Sequence, residues 1–288
     1  MTPILKGGRR LKRVGFYDLD LNNFHSNVYL SAFRNELKDR GFEVTGCTGI
    51  RQKSSLAWAE ENRVPYFPDV QALNDAVDYY LVLAPRTPER HLAMCEAIFP
   101  FGKATYVDKT FAPDLDTAQQ IFALADKYRV PIQTSSALRY SNVQDFVREA
   151  GPRKVKHMVV WQGGRSFDEY GIHPTEIVVS CMGTGAKRLM RRSKGKYNQI
   201  LIDFTGNRTA VINMNEKHRT PQAVVVTTTE ETRYMEVDRA VIFPRSTGAI
   251  MDLFESGKAN IPRLESLLIR RILDVAERER AQREFVDI

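Results

Sequence analysis

The sequence predicts a two-domain α/β protein. A Rossmann-like domain with a parallel sheet spans 1–135, and an α+β domain on an open, mainly antiparallel sheet spans 136–288. Three observations predict it. Up to about Ser135, short apolar runs alternate with stretches of helical period, the pattern of parallel strands joined by right-handed helical crossovers. After Gly151 the texture becomes closely spaced strand-like runs, which pair antiparallel. The chain of 288 residues is also long for one hydrophobic core and comfortable for two.

The first half reads as follows. Arg13–Tyr17 is a short apolar strand behind a basic lead. Val28–Arg40 carries Leu30, Phe33 and Leu37 at helical spacing and stops at Gly41, a helix terminator. Phe42–Cys47 is the second strand and Ser54–Asn62 the second helix. Tyr79–Leu83 is continuously apolar, as a strand covered on both faces must be. Pro88–Phe99 is a helix with Pro88 in its first turn. Ala104–Val107 is a strand, Leu115–Tyr128 a helix and Val130–Gln133 a strand.

In the second half Lys154–Trp161 alternates apolar and polar residues, a half-buried strand, and Thr175–Met182 is a short helix. Strands follow at Ile200–Thr205, Arg208–Met214, Ala223–Thr228 and Arg233–Val237, with turns at Gly206-Asn207 and Asn215. Two helices close the chain, free to pack back on the first domain. The last bears Leu264, Leu267, Leu268, Ile272, Val275 and Ala276 in one stripe, a core-packing face.

Composition narrows the function classes. No run approaches the roughly 18 apolar residues of a membrane helix. Lys6, Arg9, Arg10, Lys12 and Arg13 have no apolar segment behind them, so they do not form a signal peptide. Cys47, Cys95 and Cys181 are odd in number and scattered. They suit a reducing cytoplasm and predict neither disulfides nor a zinc site. The net charge of +7 is partly concentrated in Lys187, Arg188, Arg191, Arg192, Lys194 and Lys196. This run is either a solvated loop or edge strand, or an attractor for an anionic, phosphorylated or carboxylated substrate. No nucleic-acid recognition motif surrounds it, so a nucleic-acid partner is not expected.

In open parallel sheets ligands bind beyond the carboxyl ends of the strands. Four segments sit there: Asp18–His25, Thr48–Lys53, Ala84–His91 and Asp108–Pro113. Lys109 follows a strand directly. It can hold a substrate hydroxyl and help its proton leave, or it can be a surface lysine paired with Asp108. His173 lies between Glu169 and Glu176, and all three share a face if a helix starts near Glu169. An imidazole flanked by carboxylates suits acid–base work. A satisfied buried histidine is the alternative. No second His or Cys stands near, so no metal site is expected.

These residues, in order, resemble the glucose–fructose oxidoreductase/inositol dehydrogenase (Gfo/Idh/MocA) family. The landmarks are Ala84-Pro85-Arg86-Thr87-Pro88 with His91, Gly102-Lys103 before a strand, and Asp108-Lys109-Thr110 where the family has Glu-Lys-Pro. Glu169 to Glu176 stands where the family has Asp-x-Gly-x-His-x-x-Asp, and Leu115–Ala125 is similar to the helix after the lysine motif. The resemblance implies NAD(P)-dependent hydride transfer to or from a sugar, cyclitol or related hydroxy compound. It makes Lys109 and His173 the catalytic pair, with Glu169 orienting His173 or binding substrate. It places NADP or NAD against Asp18, Leu19, Asp20, Arg51, Ala84, Pro85, Thr87, His91 and Asp108. The substrate falls to Arg139, Tyr140, Arg165, Tyr170 and Glu176, and the second sheet becomes the face of a homo-oligomer.

The sequence departs from that pattern at three places. Asp18 and Asp20 stand where the first two glycines of G-x-G-x-x-G belong, and a carboxylate about 4 Å from a phosphate costs about 1 kcal/mol even in water. Gly49 replaces the acidic residue expected after the second strand, while Arg51 two positions on would favour a 2′-phosphate and hence NADP. Thr110 replaces proline, where a cis bond would cost about 3 kcal/mol, so a trans bond is expected. The alternative reading is a protein of the same fold without conventional dinucleotide binding. It would be a ligand-binding or accessory protein, or a cofactor-independent acid–base enzyme.

Overall fold

The computed structural model describes residues 11–217 and 219–288. Lys6, Arg9 and Arg10 of the basic lead lie outside the described residues. The chain divides into two units. The first runs to Ser135 and takes up Phe243–Ile261; the second is Ser136–Ile242 with Pro262–Ile288.

Among the described residues the first unit is β1 (Lys12–Asp18), α1 (Phe24–Arg34), β2 (Phe42–Gly49), α2 (Gln52–Asn62), α3 (Val70–Ala76), β3 (Tyr79–Val82), α4 (His91–Ile98), β4 (Thr105–Val107), α5 (Leu115–Lys127) and β5 (Ile132–Gln133). The strands form one sheet in the order β2-β1-β3-β4-β5, every neighbouring pair parallel. Val14, Phe16, Leu81 and Tyr106 along it have no exposed surface, the burial that continuous apolar strands imply. Gly46 is required by packing, because a Cβ there would lie 2.6 Å from Leu73 of α3.

Several boundaries differ from the prediction, among them two helix starts. Helix α1 starts at Phe24, not Val28, because Asn23 caps it: its side-chain oxygen accepts the N–H groups of His25 and Ser26. The polar stretch Phe24-His25-Ser26-Asn27 hides that start from an apolar-period reading. Helix α4 begins only at His91, since Pro88–Arg90 forms a 3-10 turn. The Lys109–Thr110 peptide is cis, against the trans bond expected.

The second unit holds α6 (Asn142–Ala150), β6 (Val155–Gly164), α7 (Phe167–Tyr170), α8 (Ile172–Met182), β7 (Ala186–Lys194), β8 (Tyr197–Phe204), β9 (Arg208–Glu216), β10 (Ala223–Thr228) and β11 (Thr232–Glu236). Helix α9 (Arg239–Ser256) carries the chain into the first unit. Helix α10 (Arg263–Glu277) and β12 (Val286–Asp287) return it to the second. The sheet order is β11-β10-β6-β9-β8-β7-β12, antiparallel except for the parallel pair β6–β9. The turn at Gly206-Asn207 is as predicted, with positive φ at both residues. Asn215 instead lies within β9, and the chain turns at Lys217.

The basic run is a strand, so alternation splits it. Arg191 turns toward Asn198 (2.9 Å) and the Phe167 ring, while Arg188 pairs with Asp203 (2.7 Å). No described helix is long and apolar enough to cross a membrane.

Candidate functional site

The turn after β1 is organised around Asp18, which is 1% exposed. One carboxyl oxygen accepts the N–H groups of Ala84 (2.9 Å) and Asp20 (3.3 Å). The other accepts from Asn23 Nδ2 (2.7 Å) and the Ser26 hydroxyl (3.1 Å). Burial pushes this carboxyl up to about 6, although the four donors pull it back. Further amides of the turn are also satisfied internally. Leu21 N–H donates to Ser55 Oγ, Asn22 N–H to Asp20 Oδ1, and those of His25 and Ser26 to Asn23 Oδ1. Asn23 stands at the third glycine position of G-x-G-x-x-G, so side chains occupy all three.

At the end of β2, Gly49 has a local cause. A Cβ there would lie 2.0 Å from Ser55 Oγ, the same hydroxyl that accepts from Leu21, so no acidic side chain fits. Arg51 donates its backbone N–H to Leu19 O, and its side chain, 66% exposed, stands 3.8 Å from Asp20.

Past β3 and β4 the crevice holds the acid–base groups. Lys109 is 7% exposed and its Nζ donates to the Pro85 carbonyl at 3.2 Å. Asp108 has no exposed surface and accepts the Lys109 N–H (2.8 Å), while its other oxygen lies 2.6 Å from His25 Nδ1. Burial alone would raise the Asp108 carboxyl, but His25 and Lys109 hold it below the usual carboxylate range. Lys109 is thus not the surface partner of the Asp108 carboxylate; His25 takes that place. His91, expected at the cofactor, is fully buried with its ring nitrogens on the carbonyls of Leu83 (2.7 Å) and Phe111 (3.0 Å). It ties the ends of β3 and β4 together and has no surface for a ligand. Ala84, with φ +42°, gives its N–H to Asp18, and Thr87 bonds back to the Ala84 carbonyl.

In the second unit His173 lies in the first turn of α8, its Nδ1 2.8 Å from the buried Ser136 hydroxyl. The expected single helix from Glu169 is interrupted at Gly171, because Pro174 has no N–H to give the Tyr170 carbonyl. Glu169 pairs with Arg165 on α7's exposed side. Glu176 is buried against Arg139, which also pairs with Glu265 at 2.6 Å, and accepts Ser136 N–H at 3.2 Å. Burial pushes the Glu176 carboxyl up while Arg139 pulls it back. Arg139 and Glu176, expected to bind substrate, therefore spend their charges on each other. Tyr170 stands edge-on to His173 at 5.8 Å, and Tyr140 ends a 3-10 turn at Ala137–Tyr140.

A five-stranded parallel sheet with a lysine past β4 and a helix N-terminus past β1 defines a Rossmann-type domain. Residues 21–136 match the GFO_IDH_MocA family, described as an oxidoreductase family with an NAD-binding Rossmann fold. That match covers most of the first unit, in line with the resemblance. No curated protein matches in sequence. Among solved structures the chain is similar to GenD2 from gentamicin A biosynthesis, in complex with NAD. Identity is 13%, with 99% of each chain covered and a TM-score of 0.83. Myo-inositol 2-dehydrogenase of Lactobacillus plantarum gives 12% identity, 97% and 100% coverage, and a TM-score of 0.80. An oxidoreductase of Agrobacterium radiobacter with NAD+, L-tartaric acid and magnesium gives 15%, 96% and 98%, and 0.77. At these identities the likeness shows the fold.

The family implies NAD or NADP. The turn after β1 does not fit a diphosphate laid on the N-terminus of α1. The His25 and Ser26 amides at the start of the helix are taken by the Asn23 side chain, and two carboxylates, Asp18 and Asp20, stand at glycine positions of the motif. His25, Ser136 and Asn23 were missed by sequence reasoning. The available signal was Asp108, since a carboxylate at a buried strand end needs a cationic or N–H partner.

A raised carboxyl pKa means that the fold holds this proton more tightly than the unfolded chain. The stability Asp18 contributes is complete below the ordinary carboxylate range and is lost as pH rises through about 6. A carboxyl 13C titration of the native protein gives a midpoint of about 6 that disappears in Asp18→Asn. A midpoint at about 4 contradicts it.

Proposed function

We propose that the protein is an NAD(P)-dependent oxidoreductase acting on a sugar, cyclitol or related hydroxy compound, with Lys109 as the group that handles the substrate's hydroxyl proton. The supporting observation is a nearly buried lysine past β4 in a domain of an NAD-binding oxidoreductase family, its ammonium steadied on the Pro85 carbonyl. NAD or NADP, when bound, supplies the hydride acceptor or donor. Lys109 holds the substrate oxygen by a charge-assisted hydrogen bond and takes up or returns its proton. His173, steadied by Ser136, is the second acid–base group, with Glu169, Arg165, Tyr170 and Tyr140 contributing polar contacts to substrate. Arg51 favours NADP over NAD.

The closed turn favours a second reading, cofactor-independent acid–base chemistry at the same residues. Titration with NADH and NADPH, followed by fluorescence and thermal shift, separates the two. A site at 100 times its Kd adds about 2.7 kcal/mol of stability. Lys109→Met then abolishes turnover and leaves binding intact. No shift with either cofactor at millimolar concentration contradicts the first reading.

The second sheet supports a homo-oligomer. Tyr234, Val225, Val159, Val211, Leu201 and Met190 are in register across six strands, forming one apolar row. Leu201 and Tyr234 are 37% and 57% exposed. The neighbours of this row in sequence, such as Val160, Ile202 and Ile212, are buried on the opposite face. A row of this kind marks an interaction surface. Val211→Arg with Leu201→Arg reduces the mass measured by light scattering to that of a monomer. A monomeric native protein, or an unchanged mass, contradicts it.

A further inference from the structure

The carboxyl edge of the first sheet carries a histidine that neither the hydride reading nor the diphosphate turn uses. His25 lies in the first turn of α1, where Asn23 accepts its backbone N–H and fixes the start of the helix. Its ring stands edge-on among Phe24, Tyr29 and Phe243, at centroid distances of 5.9, 6.0 and 5.9 Å. Nδ1 points inward to Asp108 at 2.6 Å, which leaves Nε2 as the free nitrogen of a side chain 14% exposed. Asp108 is itself held by the Lys109 N–H at 2.8 Å and the Tyr29 hydroxyl at 3.4 Å. A buried carboxylate beside one imidazole nitrogen holds the ring in place and turns the other nitrogen away from it. The residue after that carboxylate is the lysine of the crevice.

We infer that His25 is a general base and Lys109 its electrophilic partner in a cofactor-free activity of this crevice, the enolisation of a hydroxycarbonyl compound. His25 Nε2 takes the proton from the carbon beside the carbonyl. The C–H electron pair becomes the new C=C bond, and the carbonyl π pair moves onto oxygen, where the Lys109 ammonium neutralises it. Return of a proton from the imidazolium to carbon restores the carbonyl compound, so neither oxidant nor reductant is consumed. Asp108 is the positioning residue. The side-chain-filled turn suits this chemistry, because its network of Asp18, Asn23 and Ser26 builds the start of α1 without a bound anion. The inference rests on the reading that the Lys109 crevice is the active site, and it adds a proton transfer at carbon.

The test is deuterium exchange at the C–H positions beside the carbonyl of dihydroxyacetone and of scyllo-inosose. It is run in D2O with no nucleotide present and followed by proton NMR. The native protein exchanges them well above buffer. His25→Asn keeps a donor toward Asp108 but has no Nε2, and it loses roughly 100-fold or more of that rate. Lys109→Met also loses it, and Asp108→Asn lowers it and displaces its pH profile. Should His25→Asn fail to fold, carbethoxylation of the native protein, mapped to His25 by mass spectrometry, must remove the exchange in step with labelling. No exchange with either compound, or an unchanged rate in His25→Asn, overturns the inference. NAD(P)-dependent turnover without such exchange does so while leaving the proposed function standing. Lys109→Met losing neither activity overturns both.

Discussion

The carboxylate of Asp18 ties three segments together. It ends β1, takes the N–H of Ala84 past β3, and accepts from Asn23 and Ser26 at the start of α1. A charge with 1% exposure is tolerated only when its hydrogen-bonding capacity is met, and four donors meet it here. Removing the acceptor would leave those donors buried and unsatisfied, at about 1–3 kcal/mol each. The usual solution to this turn is the reverse: glycines and bare amides that await an anion from outside. This chain supplies the anion itself.

That substitution sets what the rest of the edge can do. With Asn23 capping α1, His25 is held in its first turn and its ring reaches Asp108. Asp108 keeps its negative charge although fully buried, because His25 and the Lys109 backbone stand against it. A histidine, a carboxylate and a lysine are thus organised past the carboxyl ends of β1 and β4, which flank β3. The second unit has its own polar cluster, His173 on Ser136 and Arg139 between Glu176 and Glu265. There most of the charge is neutralised inside the cluster.

Much of this was legible in the sequence. The parallel sheet followed from apolar runs such as Tyr79–Leu83, and Lys109 and His173 from their places after a strand and beside carboxylates. The glycine deficit at Asp18 and Asp20 was equally plain. What the deficit builds was not, because it depends on where Asn23 and Ser26 point and on an amide 66 residues away. The start of α1 was misplaced for the same reason: a polar cap signals a helix only once its oxygen is seen on the amides. Glu169 and Glu176 illustrate the converse. Their spacing from His173 invites one catalytic face, but Pro174 interrupts the helix and Arg139 claims Glu176.

The turn after β1 is the centre of this account, and a crystal soaked with NADPH examines it directly. In such a crystal Asp18 keeps its bonds to Ala84, Asn23 and Ser26, with no phosphate oxygen within hydrogen-bond reach of the His25 and Ser26 amides. A diphosphate on those amides, with the Asn23 side chain displaced, would contradict it.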